Sequence, residues 1–100
     1  GLDLAAQLSG ASTSSIRRYA SEERVAPDDV AARLHHLARI NANLAGGYND
    51  FGIRRWYTRQ RVQLDGRAPA AALSGAWDPD ADGPQRALML AQALNSSPAT

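Results

Sequence analysis

The feature that most limits the fold is one long apolar stripe. Val30, Leu34, Leu37, Ile40 and Leu44 recur at steps of four, three, three and four, which lines them along one face of an α-helix. The borders of that helix are written in the chain as well. Pro27 suits a first turn, where its missing N–H is not needed, and Asp28 and Asp29 favour the positive N-terminal end. Gly46-Gly47 end the run. The stripe is a surface for packing or for dimerisation.

Elsewhere alanine, leucine and arginine dominate, and all three favour helix. The β-branched residues are few: Val25, Val30, Val62, Ile16, Ile40, Ile53 and three threonines. An all-α chain of five to six helices is expected. One helix is predicted over Leu2 to Ser9, with Leu4 and Leu8 on one face and Gly10 as its stop. A second begins after Ser12-Thr13-Ser14-Ser15, any of whose hydroxyls can cap it. It carries Ile16, Tyr19 and Ala20 inward and fades around Glu23. Beyond Gly47, a helix over about Asp50 to Arg59 is anchored by Ile53, Trp56 and Tyr57. Val62 to Gly66 read as a turn. Pro69 opens a short helix ending at Gly75, and Pro84 opens a last one to about Asn95, with Ser96 to Thr100 frayed. The expected core is Ile16, Leu34, Leu37, Ile53, Trp56 and Leu88.

Several classes of function are excluded. The longest unbroken apolar run, Ala87 to Ala91, falls far short of the roughly 20 residues of a membrane span. Without cysteine there is no disulfide framework, thiolate zinc site or cysteine nucleophile. With no signal-like start, the cytoplasm is the expected address. His35 and His36 are adjacent, so on a helix they point about 100° apart and cannot share a metal. No serine sits on a nucleophile elbow, and Gly46-Gly47 closes a helix instead of opening a phosphate loop. Asp78-Pro79-Asp80-Ala81-Asp82-Gly83 resembles the start of a calcium loop, but Met89 stands where the bidentate glutamate belongs. It reads instead as an acidic turn favouring the start of the last helix. Neither catalysis nor a cofactor is expected.

What remains is binding. The net charge is only +1, yet all eleven basic residues are arginines, whose planar fork suits phosphate, guanine or carboxylate. Ala6, Gly10 and Ile16 stand four and six apart, the spacing of a small residue, a turn glycine and an apolar anchor in a helix-turn-helix. On that reading Ser12, Thr13 and Ser14 meet DNA at the start of the recognition helix, with Arg17 and Arg18 one turn later. The helix that usually braces such a pair has no counterpart here, and the chain starts at Gly1, as expected of a trimmed N-terminus. Farther on, Phe51 to Arg61 interleaves aromatic and apolar residues with Arg54, Arg55, Arg59 and Arg61, and Arg67 lies just beyond. Such interleaving can stack single-stranded nucleic acid. With Ile53 and Trp56 in the core, the arginines form a dense cationic surface suited to an acidic partner or phosphate.

The order of these features resembles the Xre/MbcA/ParS-like antitoxins. The resemblance rests on a tryptophan helix (Ile53-Arg54-Arg55-Trp56-Tyr57), a turn entering a proline-started helix (Leu64-Asp65-Gly66-Arg67-Ala68-Pro69), and Ala72-Leu73. Gln60 and Val62 stand where members of the family often carry prolines. The resemblance implies a helix-turn-helix unit with connector over residues 1–47 and a toxin-binding or dimerisation unit over 48–100. It further implies binding to a RES-domain toxin that consumes NAD, autorepression at operator DNA, and a homodimer or larger complex. Arg54, Arg55, Tyr57, Arg59, Arg61 and Arg67 would then face the toxin. Two other readings are a stand-alone helix-turn-helix regulator without a toxin and a helical scaffold module.

Overall fold

The computed structural model describes residues 8–9, 12–21 and 26–96. Five α-helices lie among them: α1 (Thr13–Ala20), α2 (Asp28–Leu44), α3 (Asp50–Thr58), α4 (Pro69–Ala72) and α5 (Asp82–Ser96). A 3-10 turn over Val62–Leu64 joins α3 to α4. Leu8 and Ser9 are also helical; the remainder of the helix predicted over Leu2 to Ser9 lies outside the described residues. Among those residues there is no strand, and the all-α expectation holds.

The helix starts follow from local chemistry. Ser12 caps α1, its Oγ accepting from the Ser15 amide at 3.1 Å, and Asn49 caps α3 by accepting from the Gly52 amide at 2.9 Å. Pro69 occupies the first turn of α4, where no donor is lost. The ends depart from expectation by a few residues. α5 begins at Asp82, ahead of Pro84, because Gln85 N–H already bonds the Ala81 carbonyl at 3.1 Å. α4 stops at Ala72, since Leu73 turns out of the helix, and Gly75 takes a left-handed φ of 68° farther on.

α2 packs along α5, while α4 bridges α3 and α5. Ala87 and Ala91 lie one turn apart on α5 and are fully buried, so their small side chains let α2 come close. Leu37, Ile40 and Leu44 meet Trp56, Tyr57, Leu73, Trp77 and Leu88 in a single core. That core draws on residues either side of Gly47, and Leu8 joins it.

Of the six expected core residues, Ile16, Leu37, Trp56 and Leu88 are buried. Ile53 is half-buried against the core. Leu34 is also half-buried and is a correction. The inner face of α2 is rotated from the apolar stripe, running through Val30, Arg33, His36, Leu37, Ile40 and Leu44. Polar side chains hold two of those places because they bond carbonyls of distant segments. Arg33 donates from Nη1 to the Ser9 carbonyl at 2.7 Å, from Nε to the Trp77 carbonyl at 3.1 Å, and from Nη2 to Asp29 at 3.1 Å. The His36 ring bonds the Pro84 carbonyl through Nε2 at 2.8 Å, which makes Nε2 the protonated nitrogen. Its ring stands edge-on to Trp77, whose indole N–H donates to the Leu8 carbonyl. This network ties the segment at residues 8–9 to α2 and to the loop before α5.

Candidate functional site

Two groups of candidate residues lie on different parts of the molecule. In the first, Arg17 and Arg18 are exposed on α1, opposite the buried Ile16 and half-buried Tyr19. Ser14 is exposed beside them. Ser12 is exposed too, but its hydroxyl is engaged with the amide and the hydroxyl of Ser15. Ala6 and Gly10, which carry the helix-turn-helix spacing, and the side chain of Thr13 lie outside the described residues.

The second group is built on α3 and the turn after it. With Trp56 and Tyr57 held in the core, the helical period leaves Arg54, Arg55 and Arg59 exposed. Beyond α3 the chain runs extended through Arg61 and closes a tight loop. Arg61 N–H donates to the Arg67 carbonyl at 3.0 Å, and Gly66 N–H donates back to the Arg61 carbonyl at 2.9 Å. The reversal needs two consecutive left-handed residues, Asp65 at φ 57° and Gly66 at φ 80°. Aspartate tolerates that conformation better than most side chains, and glycine has no Cβ to oppose it.

This loop turns the Arg61 side chain back over α3. Its guanidinium lies 5.2 Å from the Trp56 ring centroid, a cation–π arrangement, and Nη2 stands 3.5 Å from the Trp56 carbonyl. Burial first, and the neighbouring Arg59 charge second, lower the proton affinity of Arg61, with Tyr48 acting in the opposite sense. Arg55, Arg59 and Arg61 line a small hollow of about 80 Å³ together with Tyr48, Gly52 and Trp56. A Cβ at Gly52 would stand 3.1 Å from Tyr48 Cδ1, so that side chain would have to shift by a few tenths of an ångström. Arg54 and Arg55 border a second, shallower hollow with Phe51 and Thr58. Among the described residues, none of these arginines has a carboxylate within ion-pair distance.

Two expected members of this surface sit elsewhere. Tyr57 is 1% exposed, and its hydroxyl donates to Asn41 Oδ1 at 2.7 Å. Burial pushes its phenol well above the usual range, and its ring packs edge-on against Trp56. Its ring is core and not contact surface, because an aromatic next to Trp56 at the end of α3 turns toward α2. Arg67 is exposed but reaches the start of α5, its Nη2 lying 3.6 Å from where a Cβ on Gly83 would stand. It does not line the hollow.

Large apolar groups accompany the arginines. Phe51 is 72% exposed on α3, Val62 89% on the 3-10 turn, and Met89 64% on α5. Met89 and Leu90 line a further hollow with Gln63 and Arg86, and Arg86 is paired with Asp82 at 3.0 Å. Tyr48 and Met89 were not expected as surface features, since only folding brings the Gly47–Asn49 turn and α5 into view of this region. Among the described residues, no helix is long and apolar enough to cross a membrane, and no three acidic or histidine side chains cluster to hold a metal.

Comparison with family models, curated proteins and solved structures finds no match for this chain.

Proposed function

We propose that this chain is a non-catalytic, antitoxin-type binding protein. It captures a protein toxin through α3 and the turn that follows, and contacts operator DNA through α1. By the resemblance described above, the toxin is an NAD-consuming RES-domain enzyme of the cytoplasm, and the complex contains a homodimer or larger assembly of this chain. The observation that carries the proposal is the mixture of exposed Phe51 and Val62 with the exposed Arg54, Arg55 and Arg59, which have no carboxylate within ion-pair distance among the described residues. Aromatic and arginine side chains are the usual anchors of protein interfaces, and folded monomers seldom expose several together. On this reading, acidic groups on the toxin around its dinucleotide pocket pair with these arginines, steering association and fixing register.

The test is co-purification with the product of the adjacent gene, using two double variants. Arg55→Glu with Arg59→Glu should weaken toxin neutralisation and leave DNA binding intact. If the pairs are desolvated, the loss per pair is about 2–5 kcal/mol. Arg17→Ala with Arg18→Ala should do the reverse, keeping helicity and toxin capture while weakening DNA binding. Its salt slope should flatten by about one unit for each phosphate that the variant no longer neutralises. If the charge-reversed protein still protects cells as well as the parent does, the toxin-facing assignment of α3 is wrong.

A further inference from the structure

Among the described residues, Arg61 Nε is the buried side-chain nitrogen without a hydrogen-bond partner. Such a group is ordinarily paired or hydrated, because leaving a charged donor unsatisfied is unfavourable. Here the surroundings make the need greater. Arg55 and Arg59 line the same hollow, so three arginines border one small space, and no described carboxylate is close enough to pair with them. The Trp56 face beneath Arg61 supplies only partial compensation.

The walls are shaped for a ligand of limited size. The Asn49 cap sets the first turn of α3, so that Gly52 leaves room for the Tyr48 ring, and Tyr48 closes the hollow from the side of the preceding turn. Arg61, held in place by its backbone bridge to Arg67, completes the lining. Cations therefore reach it from two elements, Arg55 and Arg59 from the end of α3 and Arg61 from the loop. A carboxylate offers two oxygens in one plane, which a single arginine fork can satisfy. A tetrahedral phosphoryl group offers three oxygens in different directions and carries more charge, which suits guanidinium groups arriving from separate elements.

We propose that the hollow bounded by Tyr48, Gly52, Arg55, Trp56, Arg59 and Arg61 is a binding site for a phosphoryl group. The phosphoryl group comes either as free phosphate or within the phosphodiester backbone of a nucleic acid. Exposed Tyr48 and Phe51, which edge this region, would stack a base only in the second case. An anion in the site would also offset the mutual repulsion of Arg59 and Arg61. The proposal does not depend on the toxin-directed reading, and its test contains no toxin.

The experiment is a titration of the isotopically labelled full chain, followed by NMR at constant ionic strength. The probes are sodium phosphate, sodium acetate and an eight-residue oligothymidylate. The expected result is a saturable shift of the Trp56 indole and Gly52 amide signals with phosphate and none with acetate. Arg61→Gln and, separately, the exposed Arg59→Gln should each weaken phosphate binding by about tenfold, the usual worth of one charge-assisted contact. Arg39→Gln, at an exposed position on α2 outside the hollow, should leave it unchanged. Tighter binding of the oligonucleotide, weakened when the titration is repeated at higher salt, assigns the site to a nucleic-acid backbone, whereas binding of phosphate alone assigns it to the free anion. Arg59→Gln keeps the test decisive should the Arg61 variant fold poorly. Equal shifts with acetate and phosphate, or unchanged phosphate binding by Arg59→Gln, would overturn the proposal.

Discussion

Arg33 and Arg61 are both drawn inward beside a tryptophan, but they are treated in opposite ways. Arg33 is 7% exposed and has three partners: the Ser9 and Trp77 carbonyls and Asp29. Arg61 covers Trp56 with a buried Nε that has no partner and with other arginines as neighbours. The contrast separates structure from binding. Where the chain supplies acceptors to a buried charge, that charge is a strut. Where it gathers further cations with no described carboxylate beside them, the charge is left for an outside anion, as proposed above.

The largest effect should follow from removing the strut. Arg33→Ala leaves two carbonyls at the junction of residues 8–9, α2 and the loop before α5 without their donors, and should lower stability by about 2–5 kcal/mol in urea unfolding. A loss under about 1 kcal/mol would mean that water replaces the guanidinium freely, and the comparison would collapse.

Tyr57 gives a smaller test of the same principle, because its buried hydroxyl has a partner within the fold. Tyr57→Phe should cost about 0.5–1.5 kcal/mol, the usual net worth of one hydrogen bond. Its pH dependence sharpens the point. The folded state holds the phenol protonated above its ordinary value, so on raising the pH the unfolded chain loses its proton first. Stability contributed by Tyr57 is therefore complete below about pH 10 and declines above it. Stability curves of the parent and of Tyr57→Phe that fall in parallel above that pH would show that this phenol is not the cause.

The smallest effect is expected at Arg61 itself. Arg61→Met keeps an aliphatic stem over Trp56 and removes an uncompensated charge, so stability should change by no more than about 1 kcal/mol in either direction. A loss comparable to that of Arg33→Ala would make Arg61 a second strut and remove the hollow from the binding account.

Much of the fold can be read along the chain. Period and capping are enough for α2, whose borders at Pro27 and Gly46 are within two residues of those observed. The tryptophan helix, its inward Trp56 and the turn before Pro69 are legible for the same reason. Leu34 departs from its expected place because apolar periodicity alone cannot show that Arg33 and His36 claim part of the buried face. Tyr57 departs because it lies among arginines in sequence, and only the position of Asn41 on α2 explains why it turns inward. The candidate surface is half visible: a run of arginines announces a cationic face, but not which of them share a hollow.

The sequence by itself determined that this protein is helical, where its long helix and principal turns lie, and that its positive charge is carried by arginine alone. These are local properties, set by side-chain spacing, caps and backbone freedom within a few residues. Only the tertiary structure decided which arginine is a strut and which lines an open site. The carbonyl acceptors of Arg33 lie 24 and 44 residues away in the chain and that of His36 lies 48 away. The unmet valence of Arg61 likewise depends on a loop folding back over α3 with no described carboxylate placed to receive it. Partners at such separations are brought together by packing, and no pattern in the sequence specifies them in advance.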